Sequence, residues 1–307
     1  MKQVADAVAL TAQTAANLQA AGLDPDDVVA VVRRALEEDF RYGPDVTSLA
    51  TTASGTVVTG EVVARAPGVV AGLPVALAVA DLGDCALENN GGAVKVTLLA
   101  VDGDRAGPGD AVLRVQGPAP VMLGLERTML NFLTHLSGIA SATRAWVDAV
   151  EGTGAAIRDT RKTTPGLRLL EKYAVRCGGG VNHRMGLGDA ALIKDNHVAA
   201  AGGVAKAIAA VRAAAPRVPL EVECDTLAEV RESLEAGARF ILLDNMSEGE
   251  LRAAVAVARR YPEVRLEASG GLRLETARAV AACGVDYLAV GALTHSSPAL
   301  DLGLDLL

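Results

Sequence analysis

Gly237-Ala238-Arg239-Phe240-Ile241-Leu242-Leu243-Asp244-Asn245 is the stretch on which the fold turns. Residues 227–236 before it have helical length, and Gly237 stands where a helix C-cap belongs. Residues 240–243 then form a short apolar run that ends on an acid and an amide. These are a helix and the next strand of a βα repeat, with polar groups at the strand's C-terminal end.

The same rhythm extends in both directions. Short apolar runs recur at 155–158, 190–193, 220–222, 240–243, 265–268 and 287–290, with helical segments at 204–214, 227–236, 248–261 and 274–283 between the later ones. Six strands are two short of a complete eightfold barrel, and one more is expected near 175–181. Upstream the character differs. Residues 1–42 read as helices, with Ala and Leu at helical spacing through Ala21 and an Asp24-Pro25-Asp26 cap before the run 28–40. Residues 57–64, 94–101 and 111–115 are Val-rich and punctuated by Gly and Pro, which reads as an antiparallel sheet with turns. Helix resumes near Val121. The expected fold class is α/β: an N-terminal α+β domain over 1–130, then an irregular, incomplete TIM-like α/β barrel over 131–307. The tail from about residue 295 is free to pack back on the N-terminal domain.

Composition narrows the function. Half of the 307 residues are hydrophobic and 21% are charged, enough to bury a large core and too apolar for a disordered chain. The longest uncharged apolar stretch, 66–80, is broken by Pro67, Gly68, Gly72 and Pro74 and is too short to span a membrane. The N-terminal residues lack an apolar segment leading to a cleavage site, so no export is expected. Cys85, Cys177, Cys224 and Cys283 form no C-x-x-C pair, which suits reduced thiols in a cytoplasmic protein.

A net charge of −8 disfavours nucleic acid as a partner, but the charge is unevenly spread. Residues 158–194 hold eight Lys or Arg against three acids, and three of the chain's six lysines, Lys162, Lys172 and Lys194, fall there. A basic window in an acidic chain points to a small, strongly anionic ligand. In a βα barrel the chemistry sits at the strands' C-terminal ends. The six apolar runs lead into Asp159-Thr160-Arg161-Lys162, Lys194-Asp195-Asn196-His197, Glu223-Cys224-Asp225, Asp244-Asn245, Ser269-Gly270-Gly271 and Gly291. Any one could be a cap; six together are hard to explain as caps.

These residues also carry a resemblance. Residues 127–133 (Arg-Thr-Met-Leu-Asn-Phe-Leu), 136–139, 159–166 (Asp-Thr-Arg-Lys-Thr-Thr-Pro-Gly), 178–184 (Gly-Gly-Gly-Val-Asn-His-Arg), 192–197, 242–246, 268–271 and 290–296 resemble the quinolinate phosphoribosyltransferases. The likeness covers about 36–307; one departure is Pro44, between Gly43 and Asp45, where the family pattern has Gly-Asp adjacent. The resemblance implies transfer of phosphoribosyl from phosphoribosyl pyrophosphate to quinolinate with decarboxylation, giving nicotinate mononucleotide, pyrophosphate and carbon dioxide in NAD biosynthesis.

It further implies that Arg161, His183 and Arg184 hold the substrate carboxylates. It also implies that Arg127 reaches the active site of a neighbouring subunit, making a homodimer or higher homo-oligomer the working unit. The residue chemistry is compatible: guanidinium forks suit planar carboxylates, and Lys162 and Lys194, with Lys172 as a third candidate, suit phosphate oxygens. Glu223 and Asp244 end consecutive strands and could hold Mg²⁺ together with substrate phosphates, Glu221 being the alternative ligand on the same strand face. Ser269, Gly270, Gly271 and Gly291 are placed for a backbone phosphate site. His295 is either a phosphate ligand or a surface residue, and His135 and His197 read as structural. Two other readings stay open: a related transferase for nicotinate or another acceptor, which needs fewer carboxylate-binding cations, and a non-catalytic ligand-binding paralogue, which predicts loss of the lysine pair or the acids.

Overall fold

The computed structural model describes residues 10–53, 55–86 and 94–307. It divides into two compact units, one of Met1–Ala142, Thr164–Gly178 and Ser296–Leu307, the other of Thr143–Thr163 and Gly179–His295. The division is not a single cut in the chain.

In the first unit, helices α1 (Ala12–Ala20), α2 (Pro25–Phe40) and α3 (Val46–Thr51) come first. Asp24 caps α2 by accepting the Asp26 N–H at 2.9 Å, with Pro25 opening the helix. Asp45 caps α3 by accepting the Thr47 and Ser48 N–H groups, so Pro44 sits in the turn before a helix. Strands β1 (Val57–Ala64), β2 (Gly68–Val69), β3 (Lys95–Leu98), β4 (Arg105–Ala106) and β5 (Ala111–Pro118) follow, with α4 (Leu73–Ala86) between β2 and β3. Helix α4 lies inside the segment that the Val-rich pattern assigns to sheet. Leu73, Val75, Ala76, Ala78, Val79, Ala80 and Leu82 are all buried, so α4 is apolar nearly all round and shows no helical periodicity. Asp102 holds its start, accepting the Gly72 and Leu73 N–H groups at 3.0 and 3.1 Å and the Tyr173 hydroxyl.

Helix α5 (Ala119–Val150) runs 32 residues, and α6 (Arg168–Cys177) belongs to the first unit. Leu170, Glu171, Lys172, Tyr173, Ala174 and Val175 of α6 are buried there, and His135 Nε2 meets Glu171 at 2.9 Å. Of the strand expected near 175–181, residues 175–177 are the end of α6 and Gly178–Gly180 break the chain after it. Only Val181 bridges Arg158, in parallel. The last strand, β12 (Leu302–Leu306), pairs antiparallel with β1 from Gly60↔Leu306 to Ala64↔Leu302, giving the sheet order β12-β1-β5-β3.

The second unit is a parallel sheet of β6 (Ala156–Arg158), β7 (Ala191–Ile193), β8 (Leu220–Cys224), β9 (Phe240–Asp244), β10 (Arg265–Ser269) and β11 (Tyr287–Ala289), in the order β6-β11-β10-β9-β8-β7. The six strands are those read from the sequence. The barrel is not closed, since β6 and β7 remain the two edges. Helices α7 (Asp195–Ala201), α8 (Val204–Ala214), α9 (Leu227–Glu235), α10 (Glu248–Ala258), α11 (Ala277–Ala281) and α12 (Ala292–His295) alternate with them. Thr226 with Glu229 and Ser247 with Glu250 form capping boxes on α9 and α10. In β9, Ile241, Leu242 and Leu243 are buried on both faces, as a parallel strand requires. In β8, Glu221 and Glu223 share one face while Val222 and Cys224 pack on the other. No helix among the described residues is long and apolar enough to cross a membrane.

The first unit holds its C-terminal segment through a close approach. Leu300 N–H donates to the Thr134 carbonyl of α5 at 2.9 Å, and a Cβ on Gly138 would lie 2.2 Å from the Pro298 oxygen. Gly→Ala inside a helix ordinarily stabilises by about 0.5–1 kcal/mol. Here the sign reverses: Gly138→Ala should destabilise by about 1–3 kcal/mol, measured by urea or thermal unfolding, because the 298–299 backbone must move away.

Candidate active site

The site is built at the C-terminal ends of the second unit's strands. Asp159, immediately after β6, is fully buried and accepts the His183 N–H at 2.8 Å and the Asn182 side-chain amide at 2.5 Å. A carboxylate buried so deeply needs such donors, and satisfying it ties the 182–184 loop to the end of β6. Arg184 is steadied by donating to the Ala190 carbonyl at 2.9 Å, while Asp189 accepts the Met185 and Gly186 N–H groups. Lys162 is held by its backbone: its N–H donates to Thr160 Oγ1 at 3.0 Å, and its carbonyl accepts the Thr294 hydroxyl at 2.7 Å. The side chain passes over Gly291, where a Cβ would stand 3.0 Å from Lys162 Cδ and 3.5 Å from His295 Nε2.

On the other strands, Lys194 Nζ pairs with Glu223, and His197 Nδ1 accepts the Lys194 N–H at 3.0 Å, fixing the turn as expected of a structural histidine. Asp244 accepts the Asn245 side-chain amide at 2.6 Å. Asn245 sits at φ 52° and packs on Gly270, where a Cβ would come within 2.2 Å of its Oδ1; Gly270 itself has φ +84°. Glycine is required there to seat the Asp244–Asn245 turn beside Ser269.

A cavity of about 390 Å³ gathers Thr160, Arg161, Lys162, His183, Arg184, Lys194, Glu223, Asp244, Glu267 and Ser269, with Leu192, Leu242 and Ala289 as apolar wall. Eight residues expected from sequence thus converge: Arg161, Lys162, His183, Arg184, Lys194, Glu223, Asp244 and Ser269. Gly270, Gly271, Gly291 and His295 shape or flank the adjoining loops rather than line the cavity. Arg127 and Lys172 belong to the other unit. Arg127 is exposed on α5, whereas Lys172, expected at the substrate, is 0% exposed and buried on α6. Its helix face turns inward with Leu170 and Tyr173, which charge alone could not reveal. A larger cavity of about 690 Å³ lies in the first unit, lined by Arg34, Glu38, Asp39, Asn131 and His135 among others. Its charges are mixed and nearly balanced, so size does not decide the site.

The electrostatics point to an anion. Burial, and then the charge of Arg161, hold the Arg184 guanidinium below its ordinary value, so two guanidinium groups face one another's field. The Nε of Arg161 is buried with no hydrogen-bond partner. Lys162 and Lys194 share the cavity. Such an arrangement is relieved by a ligand with several negative charges and planar acceptors.

Glu223 and Asp244 bring oxygen donors only, and beyond them burial and the charges of Glu229, Asp244 and Asp195 push the Asp225 carboxyl up, a sign of negative potential on that rim. Hard oxygen ligands beside a lysine pair suited to phosphate oxygens fit Mg²⁺. Glu221, the alternative ligand, is instead buried against His183, Oε2 to Nε2 at 2.8 Å. Glu267, which lines the cavity, and Arg158, which pairs with it, escape the strand-end pattern. The available signal was an acid in the middle of the run 265–268, at the alternate position to Ser269 and so on the same strand face.

The likeness to known proteins runs through both units. Residues 139–305 match the family model "Quinolinate phosphoribosyl transferase, C-terminal domain", and residues 45–137 match its N-terminal domain. A carboxylating nicotinate-nucleotide pyrophosphorylase of Mycobacterium leprae is 57% identical over 279 residues, covering 90% of this chain and 95% of that protein. The human enzyme of the same name is 42% identical over 247 residues, covering 79% and 80%. The structure of the nicotinate-nucleotide pyrophosphorylase from Francisella tularensis superposes with a TM-score of 0.84 at 36% identity, covering 92% of this chain and 96% of that one. The motifs at the strand ends, the open six-stranded sheet that presents them and these likenesses agree: the chain belongs to the quinolinate phosphoribosyltransferase family.

Proposed function

We propose that this chain transfers phosphoribosyl from phosphoribosyl pyrophosphate to the ring nitrogen of quinolinate, with loss of the 2-carboxylate, forming nicotinate mononucleotide, pyrophosphate and carbon dioxide for NAD biosynthesis. The observation that carries the reading is the Arg161–Arg184 pair: two guanidinium groups in mutual repulsion, one with a buried unpartnered Nε, in a cavity that also holds two lysines. A dianionic flat acid supplies the missing counter-charge, and Leu192, Leu242 and Ala289 offer its ring an apolar wall.

In this reading Arg161 and Arg184 orient the acceptor so that its nitrogen faces the ribose carbon. Lys162 and Lys194 bind phosphate oxygens as point charges and stabilise the cationic ribosyl centre's departing partner. Ser269, Gly270, Gly271 and Gly291 offer backbone N–H groups and close approach to phosphate, with His295 beside Gly291. Glu223 and Asp244 are the residues that would hold Mg²⁺, which when bound neutralises the pyrophosphate. After transfer the ring nitrogen is cationic. The bond to the 2-carboxyl breaks, its electron pair stays on C2, carbon dioxide leaves, and a proton from solvent completes the product. The three described cysteines are free thiols, which supports a cytoplasmic setting.

Incubation with phosphoribosyl pyrophosphate, Mg²⁺ and either quinolinate or nicotinate, with products identified by mass, tests this directly. Quinolinate should be consumed and nicotinate not; the reverse overturns the reading. Excess chelator should stop turnover, and Mg²⁺ or Mn²⁺ without zinc should restore it.

A lysine cannot reproduce the planar fork of Arg161. Arg161→Lys should lose about 2–4 kcal/mol of transition-state stabilisation, read as kcat/KM for quinolinate in a variant whose unfolding is unchanged.

We also infer a homodimer or higher homo-oligomer in which Arg127 serves the neighbouring subunit's site, supported by its exposure on α5 and by the family resemblance. Mixing inactive Arg127→Ala with inactive Lys162→Ala should then restore part of the activity, because a mixed dimer rebuilds one intact site. With subunit exchange verified by a tag assay, no recovery rejects the shared site.

A further inference from the structure

The open sheet leaves β6 at an edge, and the segment it feeds, residues 160–163, runs outside any strand or helix with Arg161 and Lys162 in its middle. Backbone without a ladder must find its hydrogen bonds in turns and side chains. The Thr163 N–H closes a tight turn on the Arg161 carbonyl at 3.0 Å, and the Lys162 N–H donates to Thr160 Oγ1 at 3.0 Å. The Lys162 carbonyl is taken by a residue 132 positions further on: Thr294 of α12, 1% exposed, donates its hydroxyl at 2.7 Å.

Helix α12 reaches this place through β11, the strand beside β6. Ala289 stands in register with Arg158, and the Val290 N–H extends the pairing by donating to the Arg158 carbonyl at 2.9 Å. The two chains then leave their strands side by side. Gly291 lies under the Lys162 side chain, where a Cβ would come 3.0 Å from Lys162 Cδ and 3.4 Å from Thr160 Oγ1, and α12 starts at the next residue. The Thr294 N–H nitrogen and Oγ1 are each 3.3 Å from the Gly291 carbonyl oxygen, so the hydroxyl bends back along its own turn, and β-branching leaves it few other rotamers. One hydroxyl proton serves one strong bond, and the shorter contact, to Lys162, takes it.

The two lysines of the cavity are held in opposite ways. Glu223 pairs with the ammonium of Lys194, whereas among the described residues no ion pair holds that of Lys162, an exposed side chain. Where the Lys162 Nζ can reach is therefore set from the other end, by where its backbone is fixed. We propose that Thr294 is a positioning residue for Lys162: its hydroxyl fixes the Lys162 carbonyl, and with it the reach of the ammonium toward the phosphate oxygens of the phosphoribosyl donor. This rests on the reading of Lys162 as a phosphate-binding group, and it deepens it. Thr294 is not among the residues that line the cavity, so it acts through Lys162. Without its hydroxyl, one carbonyl of an unladdered loop loses its donor and the loop is free to shift, and a displacement of about 1 Å at a charge meant for the reacting group costs on the order of 100-fold in rate.

Thr294→Val keeps the shape of the side chain and removes the donor. In the full chain, kcat/KM for phosphoribosyl pyrophosphate at saturating quinolinate should fall about 10- to 100-fold, KM for quinolinate should stay within about twofold, and Thr294→Ser, which keeps the hydroxyl, should recover most of the loss. A general loosening of the fold would raise both KM values together and would not be relieved by serine, whose side chain is smaller still. Wild-type kcat/KM in Thr294→Val, a parallel rise in both KM values, or a serine variant as impaired as the valine one overturns the proposal. Should Thr294→Val fail to fold, Thr294→Ser and Thr294→Ala, which differ only by the hydroxyl, decide instead, and equal kcat/KM in the two refutes the assignment. Lys162→Ala separates this role from the reading beneath it. Full activity there removes Lys162 from the reaction and Thr294 with it, whereas an impaired Lys162→Ala beside an unimpaired Thr294→Val rejects Thr294 alone. If the wild type turns over no quinolinate, the functional reading falls, and calorimetric binding of inorganic pyrophosphate takes the place of the kinetics: Thr294→Val must weaken it about tenfold, and equal affinity, or no binding by the wild type, overturns the role of Thr294.

Discussion

A buried carboxylate is the joint on which the site depends. Asp159 is carried below the surface at the end of β6 with the His183 N–H and the Asn182 amide donating to it. Those bonds bring a loop from more than twenty residues downstream onto the strand end. With the loop come His183 and Arg184, set opposite Arg161 and Lys162, which lie just beyond Asp159 in the chain. The basic window of the sequence becomes a basic cavity through one satisfied acid, and the repulsion between Arg161 and Arg184 is what a ligand would relieve.

The sheet supplies the rest in layers. Residues two apart on a parallel strand share a face but differ in depth, so β8 uses Glu221 below for His183 and Glu223 above for Lys194. In β10, Glu267 lies at the lower level with Arg158 and Ser269 at the cavity. One face of one sheet thus carries a buried ionic layer under a solvent-facing one. The lower layer sets Arg158 and His183 against Glu221 and Glu267, and the upper layer is rich in positive charge. Glycines at 270 and 291 serve the upper layer by letting the Asn245 turn and the Lys162 chain pass close to the backbone.

All six strands of the second unit and the polar residues at their ends were legible in the sequence. Each strand is a short apolar run bounded by turn residues, and buried parallel strands leave that mark whatever surrounds them. Helix α2 announced itself through its Asp24-Pro25 cap and α9 through Gly237 at its end, while α10 was read as a segment of helical length. Helix α4 did not, because burial on every side removes the periodicity by which a helix is read. Where a strand was sought at 175–181, residues 175–177 end helix α6 and Gly178–Gly180 follow, leaving Val181 alone to bridge β6.

By itself, then, the sequence determined the class of fold, six of the cavity residues, Arg161, Lys162, Lys194, Glu223, Asp244 and Ser269, and the sign of the ligand's charge, because these arise from strand-end patterns and from where charge is concentrated; His183 and Arg184 were reached through the family resemblance. Tertiary structure alone decided depth and pairing. It buried Lys172 on α6, brought Glu223 and not Glu221 to the cavity, and joined Arg158, Glu221, His183 and Glu267 into one buried cluster. The reason is physical: the state of a buried ionisable group is set by partners that arrive from strands up to about a hundred residues away, and no local spacing encodes who those partners are.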